Sequence, residues 1–150
     1  MSRAFVKETA ESAPPPERMV DEGPNLVTPE GLAQIEAHIA RIEVGMKTES
    51  NVLLRETLAR DLRYWEIRKS TAELAPPPAT DIVSFGSTVT IQRKSRTQIF
   101  RIVGVDEADA SKGLISFRSP LANSILGTAR GDVVEAAEPL GDIEIISISS

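Results

Sequence analysis

The sequence contains no cysteine and only one histidine, His38, among its 150 residues. Without cysteine there is no disulfide, no thiolate nucleophile and no cysteine-ligated zinc. A single histidine cannot form a multi-histidine metal site, and a Ser-His catalytic pair would depend on His38 alone. We interpret His38 as a residue flanking a helical seam, with a role as acid or base as the alternative.

Long apolar segments are also missing. No run of about 18 apolar residues occurs, which excludes a membrane-spanning helix, and residues 2–8 lack the apolar core of a signal peptide. The net charge of −5 provides no general attraction to nucleic acid. We therefore expect a cytoplasmic monomer with no cofactor and no membrane partner. Its main partner should be a protein, and any contact with nucleic acid should be indirect.

Residues 1–27 are predicted to form a disordered tail. The segment Pro14-Pro15-Pro16 is incompatible with a helix interior or a central strand, and the residues around it are small, polar or charged.

Residues 28–75 are predicted to form an antiparallel helical hairpin, a short coiled coil. Thr28 can cap the first helix, and Pro29 suits its first position. Apolar residues then recur at spacings of three and four, as in a helix packed lengthwise against a partner. These residues are Leu32, Ile35, Ile39, Ile42 and Met46.

A polar turn, residues 47–51, should connect the first helix to a second one that runs from about Val52 to Leu74. The apolar stripe of this second helix comprises Leu54, Leu58, Leu62, Trp65 and Ala72. We interpret Trp65 as a core residue rather than as an anchor for a partner.

Pro76-Pro77-Pro78 ends the helical region and begins a stiff linker, residues 76–81. Residues 82–150 then show β-branched strand patterns separated by turns, with one short helix after Ser119-Pro120. The predicted fold class is therefore α+β. An N-terminal helical hairpin precedes a C-terminal, mainly antiparallel β domain that carries one short helix.

Several ordered segments of the second half resemble the GreA/GreB family of transcription elongation factors. They are Val83–Val89, Phe100–Asp109 (FRIVGVDEAD), Leu114–Phe117, Ser119–Ala122, Ile125–Gly127 and Gly131–Val134. Val27–Leu32 is similar to the start of the family's hairpin, and Ser2–Glu8 resembles the leader of a GreB-like subgroup. The resemblance implies an FKBP-like C-terminal domain that docks on RNA polymerase. The hairpin would enter the secondary channel, where acidic tip residues of family members help hold a catalytic magnesium.

The predicted hairpin tip departs from the family pattern. It comprises Lys47, Thr48, Glu49 and Ser50 and lacks the family's Asp-x-x-Glu pair. The hairpin is also predicted to be shorter by about two turns per arm, a loss of roughly 11 Å of reach. We interpret Glu49 and Glu43 as solvated charges, with Glu49 as a replacement metal ligand as the alternative.

These features predict a non-enzymatic RNA-polymerase-binding elongation factor or modulator without robust stimulation of transcript cleavage. One alternative is a short-hairpin regulator of another enzyme. A second is an FKBP-like prolyl isomerase, which the aromatic content of 4% disfavours because that activity needs an aromatic-lined pocket.

Two groups of residues are candidates for contact with the polymerase. The resemblance implies docking by Asp106, Glu107, Asp109, Ser119, Pro120 and Leu121. The alternatives are a turn-forming role for the acidic loop and helix capping by Ser119. A basic face for RNA or polymerase would comprise Arg55, Arg60, Arg63 and Arg68, unless these are ordinary charges of a surface helix.

Overall fold

The computed structural model describes residues 13–150. These residues divide into two compact units. The described part of unit 1 comprises residues 13–23 and 33–71, and unit 2 comprises residues 24–32 and 72–150. Most of the predicted tail, residues 1–12, lies outside the described residues. Within residues 13–150, no helix is both long and apolar enough to cross a membrane.

Unit 1 is built on the predicted helical hairpin. Helix α1 (Pro29–Thr48) begins in unit 2, and its residues from 33 onward belong to unit 1. Helix α2 (Val52–Thr71) follows and lies wholly in unit 1. Ile35 and Ile42 of the predicted seam are 1% and 8% exposed. Trp65 is buried as predicted, and its ring stacks on His38 with 4.2 Å between centroids. Burial of these apolar surfaces stabilises the hairpin.

The turn between the two helices is shorter than predicted. Helix α1 continues to Thr48, and α2 begins at Val52 because the Asn51 side chain accepts a hydrogen bond from the N–H of Leu54 at 3.1 Å. Leu54, predicted to lie in the seam, is 52% exposed. It belongs to the first turn of α2, at the end of the hairpin where α1 has stopped.

Unit 2 contains a pair of short parallel strands that the sequence did not predict. Strand β1 (Asn25–Val27) pairs in register with β2 (Ala72–Leu74). The prediction of a disordered tail is therefore wrong for residues 25–27. The second helix ends at Thr71, three residues before the predicted end at Leu74. Each strand satisfies the backbone groups of the other, a non-local pairing that local patterns do not reveal.

The remaining strands form one five-stranded sheet with the order β5-β4-β3-β7-β6. Only the β4–β5 pair is parallel, so the α+β prediction is confirmed. The elements are β3 (Thr88–Arg93), β4 (Arg96–Val103), β5 (Leu114–Ser116), helix α3 (Pro120–Ile125), β6 (Val133–Glu135) and β7 (Asp142–Ser149).

The turn between β3 and β4 is tight. It consists of Lys94 and Ser95, which adopt φ values of 52° and 62°. Two consecutive residues of positive φ match the right-handed twist of a hairpin, so Arg93 pairs directly with Arg96.

The core of unit 2 lies between one face of the sheet and α3. Alternate residues of the central strands point inward, and Val89, Ile91, Ile143 and Ile145 are all fully buried. Ala122 and Ile125 of α3 complete this cluster. The helix and its flanking loops are thereby held in place on a rigid sheet.

Candidate functional site

The end of the hairpin combines exposed polar side chains with exposed apolar ones. Lys47, Thr48 and Ser50 are exposed, as predicted for a tip. Glu49 is half-buried, and its carboxylate accepts a hydrogen bond from the N–H of Asn51 at 3.0 Å. This bond helps to close the turn, as Asx-type and related side-chain contacts do.

Exposed apolar side chains surround this turn, and the prediction of the tip missed them. Val44, Val52 and Leu53 are 64%, 71% and 38% exposed. The sequence carried a signal for two of them, because Val52 and Leu53 belong to an apolar run directly after the polar turn. Among residues 13–150, no three His, Cys, Asp or Glu side chains lie close enough together to hold a metal ion.

The four arginines of α2 do not form one exposed basic face, and this prediction is corrected. Arg68 is only 2% exposed. Arg60 donates from Nε and Nη2 to the carboxylate of Asp61, at 3.1 and 2.9 Å. At about 100° per residue, positions 55, 60, 63 and 68 spread widely around the helix. Arg55 and Arg63 remain exposed.

Glu107 lies at the centre of a hydrogen-bonded clamp in unit 2. Its carboxylate accepts the N–H of Thr28 at 3.2 Å, the Thr28 hydroxyl, and the N–H of Gly104 at 3.0 Å. The Thr28 hydroxyl in turn accepts the N–H of Gly31 at 3.0 Å, so the predicted helix cap is present. The clamp therefore joins the first turn of α1 to the loop after β4.

Two glycines make room for this clamp. A Cβ on Gly31 would overlap the Glu107 carboxyl group, and a Cβ on Gly104 would lie 2.6 Å from the carbonyl oxygen of Leu26. The Glu107 carboxylate is therefore engaged inside unit 2 and has a structural role, while docking by Glu107 stays a prediction.

The other two acidic residues of this loop behave differently. Asp109 accepts hydrogen bonds from the N–H and the hydroxyl of Ser111, at 3.1 and 2.6 Å, which supports the turn-forming alternative. The Ser111 hydrogen bonds, with a smaller effect of the Lys112 charge, lower the pKa of Asp109. Asp106 is half-buried.

The lowered pKa of Asp109 predicts a dependence of stability on pH. The ionised carboxylate of Asp109 stabilises the folded state fully above its ordinary pKa of 3.8. This stabilisation is lost as the pH falls through the lower pKa of the folded state. We expect the stability difference between the wild type and Asp109→Asn to shrink between about pH 5 and pH 2. Urea denaturation at several pH values would measure it. A pH-independent difference would contradict the contact with Ser111.

The predicted docking residues around α3 are brought together by the structure. Ser119 caps α3 by accepting the N–H of Ala122 at 3.2 Å, and Pro120 occupies the first turn. Ser119, Pro120 and Leu121 line a groove of about 540 Å³ together with Ile115, Ser124 and residues 136–140. The segment 136–140, between β6 and β7, was missed because it carries no chemical signature of its own.

The capping role of Ser119 can be tested separately from any docking role. We expect Ser119→Ala to destabilise unit 2 by about 1 kcal/mol, because the N–H of Ala122 loses its acceptor. Ser124→Ala is the matched control, since that hydroxyl only donates to the Pro120 carbonyl within the helix. Chemical denaturation would compare them, and equal losses would argue against the cap.

Comparison with known proteins supports the resemblance. The family model described as transcription elongation factor GreA/GreB, C-terminal, matches residues 78–150. GreA from Helicobacter acinonychis is 44% identical over 85 residues, covering 53% of this chain and 52% of that protein. GreA from Paracoccus denitrificans is 39% identical over 92 residues, covering 58% and 59%. The chain thus spans about half the length of the curated relatives it matches.

Among solved structures, a GreA/GreB elongation factor from Nitrosomonas europaea matches with a TM-score of 0.42 and 21% identity. The match covers 86% of this chain and 100% of that one. The family match rests on the sequence of the β domain, because residues 78–150 match the C-terminal model of the GreA/GreB transcription elongation factor family.

Proposed function

We propose that this protein binds RNA polymerase and modulates transcription elongation at the secondary channel, without robust stimulation of transcript cleavage. In this proposal unit 2 docks on the polymerase, and the hairpin occupies the channel as a passive finger. The protein itself supplies no covalent chemistry.

The end of the hairpin carries this proposal. Metal-assisted hydrolysis needs carboxylates at about 2.0–2.1 Å from magnesium, and a pair of them holds the ion better than one. Glu49 is the carboxylate of the turn, and it already accepts a hydrogen bond from Asn51. Val44 and Val52 are well exposed beside it. Apolar side chains exclude water around an ion but cannot bind the ion.

Each arm of the hairpin has 20 residues, a length of about 30 Å at 1.5 Å per residue. A finger of this length can fill a channel and compete with substrates for space. Occupancy therefore needs only the shape of the hairpin, whereas cleavage would need a suitably placed acidic pair.

Transcript cleavage in stalled elongation complexes tests the proposal. We expect the protein to bind the complexes and leave the cleavage rate unchanged, while a GreA factor with the acidic pair accelerates cleavage in parallel reactions. Glu49→Ala should behave as the wild type does. Acceleration by the wild type that is lost in Glu49→Ala would refute the passive role. Recovery of a different enzyme, rather than polymerase subunits, from a lysate would refute the choice of partner.

The groove beside α3 offers a direct test of docking. We expect Ser124→Arg, which fills the groove, to weaken polymerase association about tenfold or more. Asn123→Arg is the matched control: it adds the same charge to the same helix at an exposed position that does not line the groove. Equal affinities of the two variants would place the docking surface elsewhere.

A further inference from the structure

Unit 2 contains a cavity that the function proposed above does not use. Its volume is about 460 Å³, within the roughly 300–1,000 Å³ of sites for small organic ligands. Much of its lining is apolar and comes from Leu74, Phe85 and the prolines of residues 76–78. Its charged lining side chains are Glu30 and Arg101. The cavity therefore combines an apolar wall with one anion and one cation.

The apolar wall is held in place by its own contacts. Three consecutive prolines have fixed φ angles, so this part of the wall is stiff. Pro78 packs closely against Gly86, where an added Cβ would lie 3.4 Å from the Cδ of Pro78. The ring of Phe85 meets Phe117 edge to face, with 5.5 Å between centroids. A preformed cavity of this kind loses little conformational entropy when a ligand binds.

Glu30 and Arg101 form a loose ion pair at the cavity. Nη2 of Arg101 is 3.5 Å from Oε2 of Glu30, and Nε of Arg101 is 3.5 Å from the carbonyl oxygen of Gly86. A hydrogen bond from its own backbone N–H, followed by the charge of Arg101, lowers the pKa of Glu30, so this carboxylate is ionised at neutral pH. The side chains of Arg101 and Glu30 are 34% and 62% exposed, so a ligand can reach both charges.

A ligand that carries both an ammonium and a carboxylate group matches this pair. The ammonium donates to the Glu30 carboxylate, and the ligand's carboxylate accepts from the Arg101 guanidinium. In an α-amino acid one carbon atom joins the two groups, so the four charges alternate in sign around a small ring. A ligand with a carboxylate alone would be repelled by Glu30, and one with an ammonium alone would be repelled by Arg101.

We propose that this cavity binds a free α-amino acid with an aromatic side chain. The charged end lies on Glu30 and Arg101, and the side chain enters the apolar part of the cavity. There it contacts the ring of Phe85 and buries apolar surface against the prolines of residues 76–78. The cavity belongs to unit 2 and needs no polymerase, so the proposal stands or falls independently of the function proposed above.

Isothermal titration calorimetry of the full chain with L-phenylalanine tests the proposal. We expect one molecule to bind per chain. Three related compounds each lack one of the recognised groups: N-acetyl-L-phenylalanine has no ammonium, L-phenylalaninamide has no carboxylate, and glycine has no apolar side chain. Each should bind about tenfold more weakly or worse, because a charged hydrogen bond or the apolar contact is lost.

Substitutions of the two charged residues locate the charged end of the ligand. We expect Arg101→Gln and Glu30→Gln each to weaken the binding of L-phenylalanine about tenfold. The matched controls are Arg96→Gln and Glu73→Gln, which remove the same charges from exposed positions of unit 2 that do not line the cavity. Both controls should keep the wild-type affinity.

A bulky substitution locates the apolar end. Leu74 is 57% exposed and lines the cavity, so we expect Leu74→Trp to fold normally and to weaken binding about tenfold or more. Ile82→Trp is the matched control, because Ile82 is 46% exposed and lies outside the lining. Circular dichroism of each variant checks that the fold is retained.

Three results would overturn the proposal. The first is the absence of any binding by L-phenylalanine at millimolar concentration. The second is an equal affinity for N-acetyl-L-phenylalanine, which would identify a site for simple carboxylates rather than amino acids. The third is an unchanged affinity of Leu74→Trp, which would place the bound amino acid elsewhere on the protein.

Discussion

Glu107→Ala is expected to destabilise unit 2 by about 3 kcal/mol. The substitution removes the acceptor for the N–H groups of Thr28 and Gly104 and for the Thr28 hydroxyl. Thr28 is 2% exposed and Gly104 is buried, so water replaces the lost carboxylate poorly. Buried donors left without an acceptor cost more than a surface hydrogen bond contributes, which makes this loss large for a single side chain.

Urea denaturation followed by circular dichroism, with amide hydrogen exchange at Thr28 and Gly104, would measure the effect. The control is Glu135→Ala, which removes an exposed carboxylate from β6 and should change stability by less than about 0.5 kcal/mol. A similar small loss for Glu107→Ala would show that the clamp contributes little.

Gly31 provides a second, sharper test of the same clamp. Alanine normally stabilises a helix by about 1 kcal/mol relative to glycine. Here we expect Gly31→Ala to destabilise, because its Cβ would overlap the Glu107 carboxyl group, which cannot move without breaking its hydrogen bonds. In the Glu107→Ala background the overlap is gone, so the same substitution should become neutral or stabilising. Additive effects of the two substitutions would contradict the clamp.

Ile145→Ala is also expected to have a large effect and to lower the free energy of unfolding by about 2–5 kcal/mol. Ile145 is fully buried in β7, opposite Ile91 of β3, and belongs to the cluster that also contains Ile125 of α3. Truncating its side chain removes buried apolar surface and leaves a cavity that a tightly packed sheet cannot close.

The neighbouring residue of the same strand is the matched control. Ile146 has the same side chain but is 37% exposed, because it is the extra residue of a β-bulge: Ile91 pairs with Ile145, and Thr90 pairs with Ser147. Ile146→Ala should therefore cost less than about 1 kcal/mol. Thermal unfolding of both variants would compare them. Equal losses would mean that the assigned face of β7 is incorrect.

Much of the fold could be predicted because its signals are local. The spacing of Ile35 and Ile42 indicates one buried face of a helix, and their burial confirms it. Alternating β-branched residues predict β3 and β7 for the same reason. Ser119 followed by Pro120 predicts a helix start, and the observed cap on Ala122 depends only on residues three positions apart. Such patterns act within a few residues and so are visible in sequence.

The candidate sites were predicted less well because they depend on distant residues. The sequence suggested an exposed acidic residue at Glu107 and a helix cap at Thr28, but these residues are partners across 79 positions. It also suggested a basic face containing Arg63, whose carboxylate partner Glu17 lies 46 positions away in the predicted tail. Composition and spacing carry no information about which distant segments meet.

By itself, the sequence determined the helical hairpin, the positions of the main strands and the capped helix, and it carried the resemblance of the β domain to the GreA/GreB family. Only the tertiary structure decided that residues 25–27 pair with residues 72–74 and that Arg68 is buried. It also decided that the Glu107 carboxylate accepts a hydrogen bond from the N–H of Thr28, directly before α1. The physical reason is the range of the interactions. Periodicity and capping are satisfied within one or two turns, whereas buried charges and strand edges find their partners only when the whole chain has folded.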